Sequence, residues 1–197
     1  MESILRAILS QIDDNALQVI SSQVNASPAQ TQNAIASAIP ILMNALAKNN
    51  QTSDGATALQ NAIRRDHNGS ILDNLGSVLN TPNLEDGAGI LRHVLGSRQE
   101  NVVNYISSDS GLNGASVTKI LQILAPIVLG FLGKKSSGSS GGVIGSILNS
   151  YLKNETKQSP GSQSVINQIL DRDNDGNIAD DIAELGTSFL SRLLRKR

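Results

Sequence analysis

The sequence predicts an all-α protein made by duplicating one helical unit, on three observations. Apolar residues recur with a period near 3.6 and without the alternation of strands. Only 2% of the 197 residues are aromatic and none is Trp, so a core has to be assembled from Ile, Leu, Val and Ala. The chain also matches itself when slid by 86 positions, laying Ile4–Leu9 (ILRAIL) over Ile90–Leu95 (ILRHVL) and Ile39–Lys48 over Ala125–Lys134. Runs of matches at one offset mark an internal repeat.

Taken in order, the first unit (residues 1–86) reads as helical pieces near Glu2–Ser10, Asn15–Val24, Pro28–Asn49 and Gly55–Arg64, then a polar turn, His67–Ser70, and a last helix from Ile71. Ser27 before Pro28 is a start signal, an N-cap followed by Pro at the first helical position. Pro40 falls inside the third piece and Pro126 at the matching place in the second unit. Proline removes a backbone bond from a helix interior, so both positions predict a kink or a boundary.

The second unit (residues 87–197) follows the first until the offset grows to 107, where Ala58–Leu75 matches Val165–Ile182. The added residues lie in 136–157, a Gly/Ser-rich stretch followed by a short apolar pattern. A flexible connector and one short extra helix are expected there.

The balance of charge narrows the partners. With 16 basic and 17 acidic residues the formal net charge is −1, which gives no long-range pull on nucleic acid. The chain has no Cys, so disulfides, thiolate metal sites and a Cys nucleophile are excluded. The first residues, MESILRAILSQIDDN, lack the basic and then apolar design of a signal peptide, and the expected location is cytoplasmic. The most apolar stretch, Val117–Gly133, carries Lys119 and Pro126 and is at or below bilayer-spanning length, so a buried central helix is expected there.

One segment points to metal chemistry. In DRDNDGNIADDI (171–182), Asp171, Asp173 and Asp175 stand at the first, third and fifth places of an EF-hand-like loop, with Gly176 sixth and Asn177 seventh. Those places supply oxygen donors, the sharp turn and a backbone carbonyl to calcium. The twelfth place, usually Glu, is Ile182, so Asp180, Asp181 or water has to close the shell. The expected calcium site is therefore weak, with a dissociation constant of roughly 10⁻⁴ to 10⁻³ M. The bland alternative is a turn whose Asp residues cap the next helix. The first-unit counterpart keeps Asp66, Asn68, Gly69 and Asp73 but has Arg64 where Asp171 stands, and is read as a metal-free relic.

No enzyme signature is present. His67 and His93 are the only histidines; neither has a nucleophile or metal partner at a diagnostic spacing, and His67 is expected as a solvated turn residue and His93 as a helix-surface residue. Two segments, 17–39 and 102–124, look like helix-turn-helix modules, but the second helix of each offers no basic residue or only Lys119. DNA reading requires more than that. The basic end, Arg192–Arg197, suits the positive charge favoured at a helix C-terminus.

The segments SPAQTQNAIASAIPILMNALAKN, GILRHVLGSRQENVVNYIS and LNGASVTKILQILAPIVLGFLGKK resemble the bacterial YidB-like family, the domain of unknown function numbered 937. The resemblance extends over nearly the whole chain. It implies an all-α fold with a homeodomain-like three-helix arrangement, and it implies no activity and no catalytic residues.

The resulting expectation is a non-enzymatic helical interaction or structural protein of unidentified protein partner, with a weak calcium loop at Asp171, Asp173, Asp175, Asn177, Asp180 and Asp181. A DNA-associated homeodomain-like module and an amphipathic membrane-active protein are the alternatives, and neither nucleic acid nor membrane is the favoured partner.

Overall fold

The computed structural model describes residues 4–137, 143–158 and 160–171. Among them there are ten α-helices and no strand: α1 (Ile4–Leu9), α2 (Asp14–Val24), α3 (Pro28–Asn49), α4 (Ser53–Arg65), α5 (Leu75–Asn80), α6 (Leu84–Val94), α7 (Gln99–Ser110), α8 (Gly114–Ser136), α9 (Val143–Gln158) and α10 (Pro160–Leu170). A 3-10 turn, Ser70–Asn74, leads into α5.

Local chemistry fixes the boundaries, and it does so twice. Ser27 caps α3 in a capping box with Gln30, while Asn113 caps α8 by accepting a bond from the Ser116 N–H at 2.9 Å. Each cap satisfies N–H groups that a helix start leaves without partners. One helix earlier, Asn25 (φ 53°) and Gly111 (φ 73°) end α2 and α7 in the left-handed conformation, which Gly and Asn tolerate best. Both pairs are separated by the offset of 86 seen in the sequence.

α3 and α8 pack against each other at the centre, and each buries nearly every side chain of its second half. Both helices run unbroken through their prolines. Pro126 leaves the Gln122 carbonyl without its usual i+4 N–H donor. α6 meets that carbonyl with Gly87, where a Cβ would lie only 2.0 Å from the oxygen. The backbone approach is therefore possible only with glycine, and it underlies the most extensive helix pairing among the described residues, α6 on α8.

The units exchange their closing elements. α4 and the 3-10 turn of the first unit pack chiefly on α8 of the second, whereas α9 of the second packs chiefly on α3 of the first, and α10 rests on α7 and α9 of its own unit as well as on α3. Glycines on α8 receive the turn: a Cβ at Gly133 would be 2.0 Å from the His67 carbonyl oxygen, and one at Gly130 would be 2.3 Å from the Ile71 side chain.

Three expectations are corrected. His67 is buried, at 7% exposure, because the turn that carries it docks on those α8 glycines. The short helix after the Gly/Ser-rich stretch is α9, 16 residues long, and it anchors Ile144, Leu148 and Tyr151 in the core. The apolar stretch 117–133 is buried as expected, with 78% of the apolar window inside the fold, but it belongs to a longer 23-residue helix that is long and apolar enough to cross a membrane.

Candidate functional site

A cleft of about 740 Å³ opens between α4 and α6. Small residues hollow it: Gly55, Ala58 and Ala62 recur at helical spacing along the α4 wall, and Gly89 stands on the α6 wall. Its floor is apolar, with Leu46 from α3, Leu129 from α8, and Leu59, Ile90 and Val94 from the walls. Its rim is polar and carries Arg65, Asp66, Glu85, Asp86 and His93, with the buried His67 at one end.

The walls are tied in place by backbone capping. The Asn49 amide, at the end of α3, donates to the carbonyls of His93 and Val94 at 3.1 and 3.2 Å, satisfying acceptors in the last turn of α6. Thr52 caps α4 by accepting from the Gly55 N–H at 3.1 Å, and its hydroxyl donates to the Asn49 carbonyl at 3.2 Å. Gly55 is required at that corner, since a Cβ would lie 1.9 Å from the Asn49 oxygen. Across the cleft, His67 Nε2 stands 3.9 Å from Asp86 Oδ1. This is an ion-pair distance should the imidazole be protonated, and it is too long for a hydrogen bond.

Such a surface can bury apolar side chains and meet positive charge at its edge. Among the described lining residues the one hydroxyl is that of Thr52, and it is committed to capping.

A second, smaller cleft of about 500 Å³ lies between α3 and α10. The offset of 107 places Gly55, Ala58 and Leu59 of the first cleft on Ser162, Val165 and Ile166 of the second, so the two are partial counterparts. Beside it a buried polar network joins three helices. The Asn44 amide donates to the Pro40 carbonyl at 2.8 Å and to the Tyr151 hydroxyl at 3.4 Å, and it accepts a bond from the Gln163 amide. Burial, reinforced by the carboxylate of Glu155, pushes the Tyr151 phenol well above its ordinary range. Burial also raises Glu155, and it raises Tyr105 with help from Asp109.

Of the sequence-predicted metal residues, the structure places Asp171, which directly follows α10 and is 6% exposed. Asp173, Asp175, Asn177, Asp180 and Asp181 lie outside the described residues. In the first-unit counterpart the polar groups are taken up by the protein itself. Asn68 accepts from the Ser70 N–H at 3.1 Å, and Asp73 pairs with Lys134 at 2.6 Å. Among the described residues no three His, Asp or Glu side chains gather as metal ligands would.

Both histidines line the larger cleft, which sequence reasoning did not connect. The available signal was the small-residue spacing at 55, 58 and 62. No local pattern identifies α6 as the facing wall.

No curated protein and no solved structure matches the chain. Residues 6–135 match the family described as bacterial protein of unknown function (DUF937), the YidB-like family. That span runs from α1 to the end of α8 and leaves α9, α10 and the Asp-rich segment outside it. With about two thirds of its length matched, including both central helices and the α4–α6 cleft, the chain belongs to this family.

Proposed function

We propose that the chain is a non-enzymatic interaction protein that holds a polypeptide partner in the α4–α6 cleft. The observation that carries this reading is the cleft itself: an apolar floor with a charged rim, and a lining hydroxyl already spent on a helix cap. Isolation of the tagged full chain from its native cell tests it. A Gly89→Phe variant is the control, because a Cβ at Gly89 meets nothing within 4 Å and a large side chain there projects into the cleft. The expected result is a partner captured by wild type and lost with Gly89→Phe; the same partners on both would overturn the reading.

Calcium enters as a companion reading on one observation. Asp171 directly follows α10, which ends at Leu170, the place that the first ligand takes in a helix–loop–helix calcium site. Asp173, Asp175, Asn177 and Asp180 or Asp181 would complete that site.

The packing weighs against DNA reading. The starts of α3 and α8 face the opposite unit: Ser116 donates to the Val24 carbonyl at 3.0 Å and the Gln30 amide to the Gly111 carbonyl at 3.2 Å. Lys119 donates to the Gln23 carbonyl at 2.9 Å, so the basic residue that a reading helix would offer to phosphate is already engaged.

A further inference from the structure

The rim of the cleft is predominantly acidic. Glu85 and Asp86 stand in the first turn of α6 and Asp66 at the end of α4, against the single positive charge of Arg65. The floor beneath is apolar. A complementary ligand therefore carries large apolar side chains closely followed by several cations.

The chain itself contains such a segment. In Thr187–Arg197 (TSFLSRLLRKR), Phe189, Leu190, Leu193 and Leu194 accompany four basic residues, Arg192, Arg195, Lys196 and Arg197. No other stretch of the sequence is so strongly basic in a chain whose net charge is −1. The segment lies outside the described residues. Reach is no obstacle: the chain from Asp171 to Thr187 can span up to about 50 Å, and a fold of this size is roughly 40 Å across. Tethering also favours it over any free competitor, because a segment linked within reach of its site is held at an effective concentration on the order of 1 mM.

We infer that residues 187–197 dock in the α4–α6 cleft of the same chain, apolar side chains on the floor and cations against Glu85 and Asp86, as a resident occupant that a partner has to displace. This rests on the cleft being a polypeptide-binding site.

The test uses a fluorescently labelled synthetic peptide of residues 187–197 and fluorescence anisotropy at low salt. It compares the wild-type full chain with a full chain carrying Arg192→Gln, Arg195→Gln, Lys196→Gln and Arg197→Gln, each with and without Glu85→Gln plus Asp86→Asn. Those last two substitutions keep the size of the side chains and the backbone caps of α6. The peptide is expected to bind the tail-neutralised chain at least about tenfold more tightly than wild type, the factor by which a resident segment near 1 mM competes at a Kd of roughly 100 μM. Removing the two carboxylates is expected to weaken that binding severalfold.

Equal, carboxylate-dependent binding to both chains would overturn the resident-segment inference while leaving the cleft as a site for cationic segments. Binding insensitive to Glu85→Gln plus Asp86→Asn, or no binding to either chain, would overturn the inference and, with it, the cleft as a site for cationic segments.

Discussion

Single atoms decide how closely the central helices can be approached. Gly87 and Gly89 sit two residues apart on α6, yet a Cβ at Gly87 would strike the Gln122 carbonyl at 2.0 Å, whereas nothing lies within 4 Å of one at Gly89. Gly87→Ala is therefore expected to destabilise the protein by about 1–3 kcal/mol, the usual range for overpacking. Gly89→Ala is expected to stabilise it by up to about 1 kcal/mol through helix propensity. Urea unfolding of the two variants checks this pair, and equal effects would mean that α6 does not approach Gln122 as closely as described. Tyr151 gives a second residue-level expectation. Its phenol is raised in the folded state, so above the ordinary value of 10.0 the unfolded chain releases this proton while the folded one retains it. Stability from this group is complete below that pH and declines as pH rises beyond it. Tyr151→Phe should cost about 1 kcal/mol at neutral pH, from its lost hydrogen bonds, and should flatten the alkaline decline. With only two Tyr and no Trp in the chain, phenolate absorbance reads the titration directly.

At the scale of elements, much of the helix pattern was legible, because its signals are local. Ser27 before Pro28 marked the start of α3, and the ungapped repeat carried that boundary to Asn113 and α8. Ser27→Ala and Asn113→Ala are each expected to cost about 1 kcal/mol, with Ser27→Asp near neutral; thermal unfolding measures this, and an unaffected Asn113→Ala would mean that the second cap is idle. The turn at His67–Ser70 was misjudged for a physical reason. Polar turn residues normally face water, but here the docking surface is a pair of glycines, 130 and 133, distant in sequence and unremarkable in their own helix. The cleft was hidden for the same reason. The spacing of Gly55, Ala58 and Ala62 shows that one face of α4 is small, while the wall opposite it is set by tertiary packing alone. The Asp-rich segment, by contrast, stands out in the sequence because its acidic residues recur at alternate positions, 171, 173 and 175, although all of it beyond Asp171 lies outside the described residues. Millimolar calcium is expected to raise the melting temperature, by the linkage relation RT ln(1 + [L]/Kd), and Asp175→Ala should remove most of the gain. An unchanged melting curve in calcium would leave the segment as a capping turn.

For the whole molecule, the exchange of closing elements makes the two repeats mutually dependent. α4 and the turn after it find their chief partner on α8, and α9 finds its chief partner on α3. The protein is expected to unfold in one cooperative transition, with helical circular dichroism and tyrosine signals coincident in urea. Two separated transitions would show that the repeats are independent after all. The same exchange governs what happens during synthesis. When the ribosome has produced the first eighty residues, α4 and the His67 turn lack their chief docking surface, because Gly130 and Gly133 have yet to be made. At roughly 5–20 residues per second the intervening ~50 residues take several seconds. Through that interval Leu59 and Ile63, buried in the finished protein, stay uncovered on the nascent chain. Ribosome-associated chaperones are expected to hold the chain until about residue 134 has cleared the exit tunnel and to release it soon afterwards, which selective profiling of chaperone-bound ribosomes measures.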